Sequence, residues 1–266
     1  MKTSIFALFI LVFVFSANTY ASVDDLRGIW PATWLGIGES NLVIENATQK
    51  TVDVLYVWSD KGGSGQIKRS ARITNLSPIR FEWGDGEKDA QFTFELVAPG
   101  VLKAIRYKNQ RGDMTVFLKS GSDYQIPESF SLKNEIPLPS VPVKIFPSLS
   151  MFSGYLGMWR GELSSGLKVM VVVPKINSAV VTNAVYAYAE HPKGLFGPGF
   201  RLVNGVFSND QLTLTWSTGN KKVTTVTCKL ENGHMSLKWQ SSDSDQVLEG
   251  ELIKITNPNE LVSLKN

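Results

Sequence analysis

From residue 22 onward the sequence alternates between apolar and polar residues with a period of two, and glycine turns interrupt the alternation at short intervals. Successive side chains of an extended strand point to opposite faces, so this pattern lets each segment bury one face and wet the other. The runs Leu42-Val43-Ile44, Thr51 to Trp58, Ile67 to Ile73, Ile79 to Trp83, Ala90 to Val97, Val101 to Tyr107 and Met114 to Leu118 all read as short strands. Gly84-Asp85-Gly86, Pro99-Gly100, Arg111-Gly112-Asp113, Asn204-Gly205, Thr218-Gly219-Asn220 and Asn232-Gly233 supply the turns, because glycine and asparagine accept the left-handed backbone of tight hairpins. No segment of about ten residues keeps its apolar side chains at helical spacing. The expected fold is all-β and antiparallel.

The meander is written twice. Gly28-Ile29-Trp30 opens one half and Gly157-Met158-Trp159 the other. Val54-Leu55-Tyr56-Val57-Trp58 then matches Ala184-Val185-Tyr186-Ala187-Tyr188, and each is followed by a glycine-rich segment. Arg80-Phe81-Glu82-Trp83 matches Thr213-Leu214-Thr215-Trp216, Ala90 to Phe94 matches Val223 to Thr227, and Leu102 to Ile105 matches Met235 to Lys238. The separation stays between 129 and 133 residues throughout, which points to an internal duplication.

Between the halves stand Pro127, Pro137, Pro139, Pro142 and Pro147, five of the twelve prolines. Proline lacks the donor of a sheet ladder and holds the chain extended, so this segment is a linker. Ile126, Phe130, Ile136, Leu138, Val141, Val143, Ile145 and Phe146 are too apolar for a free tether, and an extended strap lying along one or both halves is expected. The expected boundaries are a leader at 1–21, a first β domain at 22–120, the strap at 121–150, a second β domain at 151–258 and a tail at 259–266. Each half holds about eight short strands, and tandem meander barrels or two-layer sandwiches both fit. A barrel leaves no exposed edge.

A Gly-x-Trp first strand, carried here by Gly28-Ile29-Trp30 and Gly157-Met158-Trp159, followed by a meander of about eight strands, resembles the calycin group, the lipocalin-like and avidin-like barrels. The resemblance implies that Trp30 and Trp159 close the narrow end of each barrel and that the opposite end receives a small lipophilic ligand.

At the N-terminus Lys2 precedes an apolar run from Ile5 to Phe15, then a polar stretch that ends in Tyr20-Ala21. Thr19 and Ala21 suit the −3 and −1 sites of a signal peptidase, so a secretory leader cut after Ala21 is expected, with a secreted or periplasmic product. The run is shorter than the roughly 20 residues that cross a bilayer. With 27 Lys and Arg against 24 Asp and Glu, scattered along the chain, neither a nucleic-acid partner nor a basic membrane-surface helix is indicated. The single Cys228 allows no internal disulfide and lies in an alternating run, as a buried strand residue would.

Aromatic residues carry the functional reading. Seven tryptophans and seven tyrosines can stack on sugar rings or on a flat ligand. The candidate ligand contacts are Trp34, Trp58, Tyr56, Tyr186, Tyr188 and Trp239. Trp30, Trp159, Trp83 and Trp216 repeat in register and read as core, as do Tyr56 and Tyr186 on the same ground. Trp34 and Trp239 align with Leu163 and Arg106, so the shared scaffold does not need them, and Trp34 is expected on a contact surface. Tyr56 with Trp58, and Tyr186 with Tyr188, share a strand face. Pointing inward they would line a barrel, and pointing outward they would form a platform for a polysaccharide.

Catalytic signatures are missing from the sequence. His191 and His234 are the only histidines, too few for the three-ligand cluster of a zinc site without a neighbouring acidic group. Gly62-Gly63-Ser64-Gly65 lacks the Lys-Ser/Thr of a phosphate loop and reads as a hairpin able to cover a barrel mouth. Glu82, Asp85, Glu162 and Asp210 show no catalytic spacing. The expectation is an exported binding protein without catalysis, metal or cofactor. It would hold a carbohydrate chain or another extended polar polymer on exposed aromatics. The alternatives are a carrier of a small lipophilic ligand and an interaction module of a cell envelope or host-facing surface.

Overall fold

The computed structural model describes residues 22–35, 37–60, 63–84, 86, 88–121, 130–139, 144–148, 150–217 and 222–256. The expected leader and tail lie outside the described residues. Seventeen strands and two single-turn 3-10 segments make up the regular structure of the described chain. Among those residues no helix is long and apolar enough to cross a membrane.

The first eight strands are β1 (Gly28–Trp34), β2 (Gly38–Ala47), β3 (Thr51–Asp60), β4 (Gly63–Leu76), β5 (Ile79–Trp83), β6 (Gln91–Ala98), β7 (Val101–Lys108) and β8 (Arg111–Leu118). Each pairs antiparallel with the next. The meander curls until β8 lies beside β1, where the Ser120 amide donates to the Ile29 carbonyl at 2.7 Å and the Thr115 hydroxyl to the Thr33 carbonyl at 2.7 Å. Period-two alternation then separates the faces. Trp30, Leu42, Phe81, Phe94 and Phe117 are buried inside, and their strand neighbours face out.

The later strands are β9 (Gly157–Leu163), β10 (Lys168–Val173), β11 (Ile176–Asn177), β12 (Val180–Tyr188), β13 (Gly199–Ser208), β14 (Gln211–Ser217), β15 (Val223–Glu231), β16 (His234–Ser241) and β17 (Val247–Ile255). β9 pairs with β10, β10 with β12, each following strand with its successor, and β17 returns to β9. Eight strands therefore close into a barrel, with the two-residue β11 attached to β12. Closure removes the free edges, so the sandwich alternative does not hold for this half.

The halves meet in one continuous sheet. β8 pairs with β13 through Asp113 and Gly199, Gly112 and Phe200, and Arg111 and Arg201. Phe200 lies over Gly112, where an added Cβ would stand 2.0 Å from the ring, and it stacks on Tyr107 at 5.8 Å. Around Phe200 a small outer core forms from Met170, Val172, Val185 and Ala187, packed by Ile136 and Leu138 from the proline-rich segment. That segment is tied down further where Lys168 Nζ donates to Asn134 Oδ1 at 2.6 Å and the Phe146 amide to the Pro174 carbonyl at 2.8 Å.

One end of each half is plugged in the same way. A 3-10 turn, Val23–Leu26 or Ser153–Tyr155, precedes the Gly-x-Trp strand. Trp30 Nε1 donates to the Leu26 carbonyl at 2.8 Å, and Trp159 Nε1 to the Tyr155 carbonyl at 2.8 Å. Lys119 stands 5.6 Å from the Trp30 ring and Lys254 stands 5.2 Å from the Trp159 ring. Gly28 and Gly157, at φ 133° and 119°, leave room for those lysine stems, since an added Cβ would stand 3.0 Å from Cε of Lys119 or Lys254.

Candidate ligand cavities

Because the tryptophan plug sits at the start of β1 and of β9, the far ends of the same strands are left open. Two cavities occupy those ends. The first, of about 310 Å³, is lined by Trp34, Tyr56, Trp58, Trp83, Phe92 and Arg106 among others. The second, of about 340 Å³, lies in the closed barrel between Tyr186, Tyr188, Arg201, Trp216, Trp239 and the loop that carries Phe196. Both volumes fall at the lower end of the range that small-molecule sites occupy.

All six aromatic candidates line one or the other cavity, and none forms an outward platform. Tyr56 stacks on Trp58 with ring centres 5.9 Å apart and meets Trp83 at 6.1 Å. Tyr186 meets Tyr188 at 6.1 Å and Trp216 at 5.2 Å, a similar trio of rings. The strand face that sequence left undecided is the inner one.

Trp34 departs from its expected place. It is 3% exposed, its Nε1 donates to Ser40 Oγ at 3.0 Å, and its ring meets Phe92 and Phe117 edge-on. Leu163, aligned with it in sequence, is 2% exposed, so both residues are core. Trp239 is half-buried and packs on the barrel core. Its assigned counterpart also changes. Trp83 lies opposite Phe92, which lies opposite Arg106, while Trp216 lies opposite Thr224, which lies opposite Ser241. Arg106 thus corresponds to Ser241, and Trp239 to Ala104.

Polar groups in the two cavities are treated differently. Burial raises the Tyr56 phenol, and hydrogen bonds with Ser40 and Trp34 work in the opposite direction. Burial first, and then Tyr188 and Cys228, drive the Tyr186 phenol far above its ordinary range. Arg201 is pulled below the usual guanidinium range by burial and by Arg111, its ladder partner. His191, on the mouth loop, is lowered by desolvation and then by Lys193, which keeps its ring neutral at pH 7. The same loop holds Leu195 at 67% exposure and Phe196 against Tyr188 at 5.4 Å, so apolar side chains overhang the opening. In the first half Gly62 of the expected cover lies outside the described residues, while Gly63, Ser64 and Gly65 belong to β4, opposite Asp60, Ser59 and Trp58. Glu82 is engaged by Arg72 at 2.6 Å.

Sequence reasoning passed over Arg201, Arg106 and Ser40. Arg201 did carry a signal, since it occupies an inward position of a strand whose other inward residues, Val203 and Phe207, are apolar. No protein-family model matches the chain, and no curated protein matches it either.

Proposed function

We propose that this chain is a non-catalytic binding protein that carries a small, largely apolar ligand inside a duplicated β-barrel. The observation that carries the reading is the convergence of all six aromatic candidates on two interior cavities at the unplugged ends. A polysaccharide platform needs ring faces on the outside of the sheet, and these side chains supply none. Flat rings around a cavity with a few polar groups suit a compact guest, because apolar area is buried while the polar groups fix its orientation.

Duplication is part of the same proposal. It is supported by the repeated tryptophan plug with its lysine, and by the aromatic trios Tyr56, Trp58, Trp83 and Tyr186, Tyr188, Trp216. The calycin-like resemblance belongs with it, as does export through the leader at 1–21. A ligand acquired outside the cytoplasm or in the secretory path would accompany the mature chain.

Native mass spectrometry of the protein purified from its own host tests the reading. A discrete added mass that is lost on mild activation is the expected result. The bare chain mass, together with no quenching of tryptophan emission by any member of a small-molecule panel, overturns it.

A further inference from the structure

The two cavities diverge at one pair of facing residues. In β3 and β4, Tyr56 stands opposite Ile67, while in β12 and β13 Tyr186 stands opposite Arg201. Ser40 and Trp34, themselves hydrogen-bonded at 3.0 Å, are the polar neighbours that act on the Tyr56 phenol. In the closed barrel the corresponding positions hold Val169, opposite Tyr188 as Ser40 is opposite Trp58, and Leu163. Tyr186 is 2% exposed and its hydroxyl has no hydrogen-bond partner.

Arg201 makes no ion pair or hydrogen bond among the described residues, and it lies directly opposite Arg111. The nearby carboxylate, Asp113, is already held by Arg111 through Nε at 2.8 Å and Nη2 at 2.7 Å. A buried donor without an acceptor and two like charges in register both destabilise the empty barrel. The amide of Lys193 donates to His191 Nδ1 at 3.1 Å, so the neutral ring offers a further donor at Nε2. Asp243, the acidic group on the wall, is engaged by Lys222 and Ser241. The wall therefore offers donors and flat apolar surface, and asks for acceptors.

Resting on the small-ligand reading above, we propose that the closed barrel takes an apolar carboxylate that bears a second oxygen function, a hydroxyl or carbonyl. The carboxylate pairs with the Arg201 guanidinium and relieves its opposition to Arg111. The second oxygen meets the Tyr186 hydroxyl deeper in the cavity, and the apolar body lies against Trp216 and Trp239. A guanidinium fits a carboxylate through two parallel donors, which gives this end of the site its selectivity.

Isothermal titration of the purified protein at pH 7 with 6-hydroxy-2-naphthoate, 2-naphthoate and 2-naphthol tests this. Naphthoate should bind about tenfold more tightly than naphthol, since a hydrogen bond to a charged group exceeds the roughly 1.4 kcal/mol of one decade. Hydroxynaphthoate should bind more tightly again by several-fold. Arg201→Met should erase the advantage of naphthoate over naphthol, and Arg201→Lys should keep most of it. Tyr186→Phe should erase only the advantage of the hydroxyl. Equal binding of naphthol and naphthoate, or no effect of Arg201→Met in a variant with parental thermal midpoint, overturns the anion assignment and leaves the small-ligand reading standing. Failure of all three probes, with no co-purifying mass, removes both.

Discussion

Trp58 covers Gly65, its partner in the β3–β4 ladder, so closely that a Cβ added to the glycine would stand 2.5 Å from the indole ring. Tyr188 covers Gly199 in the β12–β13 ladder in the same manner, with the added Cβ 2.7 Å from the hydroxyl oxygen. A strand residue without a side chain weakens its strand, and here it provides the floor on which a cavity-lining ring rests. Gly65→Ala should therefore displace Trp58 and cost about 1–3 kcal/mol, the usual range for overpacking. In a Trp58→Ala background the same change should cost close to nothing. Urea unfolding of the four proteins in this double-mutant cycle checks the coupling, and an equal cost in both backgrounds would sink it.

The two cavity tyrosines should respond to the same substitution with opposite signs. Tyr186→Phe removes a buried hydroxyl that has no partner in the empty barrel, and an unmet buried donor costs about 1–3 kcal/mol. The thermal midpoint of the ligand-free protein should rise. Tyr56→Phe removes a hydroxyl that has the polar pair Trp34 and Ser40 as its neighbours, and should lower stability by about 0.5–1.5 kcal/mol. Differential scanning calorimetry on protein stripped of ligand decides the matter, and a loss at both positions would contradict the assignment of Tyr186.

Local order was legible because it is written in alternation and turns. The run from Ile79 to Trp83 is β5 to the residue, and Thr51 to Trp58 falls inside β3. Closure was not legible, since the β17–β9 pairing that seals the barrel joins segments with no local mark of each other. The seam between β8 and β13 is hidden for the same reason, although Gly112 is the residue that lets Phe200 cross there. Comparison of the halves failed where it slipped by one residue. Phe92 aligned with Thr225 in sequence, yet Phe92 faces inward and so does Thr224, 2% exposed. A shift of one residue exchanges the faces of a strand, whereas the match of Trp239 with Arg106 slipped by two residues, from Ala104, and so stayed on the same face. Trp34 failed differently. Its lack of an aromatic match in the other half suggested a free surface, but a core position needs matching volume and apolarity more than matching identity.

The repeated plug makes a paired prediction. Trp30→Phe and Trp159→Phe each lose the indole donor to a backbone carbonyl, Leu26 in one case and Tyr155 in the other. Each leaves a buried acceptor unmet and a smaller ring in a closed site, so each should cost about 2–4 kcal/mol, with the two values within about 1 kcal/mol of each other. Lys119→Met and Lys254→Met should cost less, about 0.5–1 kcal/mol, as expected for a cation over an indole face near solvent. Chemical denaturation of the four variants measures both ranks. A tryptophan variant that is silent in one half and severe in the other would separate the two plugs.

Cys228 gives the chain an alkaline limit. It is fully buried in β15, and desolvation pushes its thiol up to about 12. In the unfolded chain the same thiol titrates near pH 8.5. Below that value both states keep the proton and pH has no leverage through this group. Between roughly pH 8.5 and 12 the unfolded chain has lost the proton while the folded chain retains it, so stability falls as pH rises. Tyr186, raised by burial, adds to the loss in the same direction above the ordinary phenol range. Thermal midpoints recorded between pH 8 and 11 should therefore decline, and Cys228→Val, which keeps an apolar side chain of similar size in the strand, should decline less steeply. A chromogenic disulfide reagent at pH 8 should leave the native thiol untouched and modify it fully once denaturant unfolds the barrel. Rapid reaction of the native protein, or parallel pH profiles for parent and variant, would show that the thiol is open to solvent and uncoupled from folding.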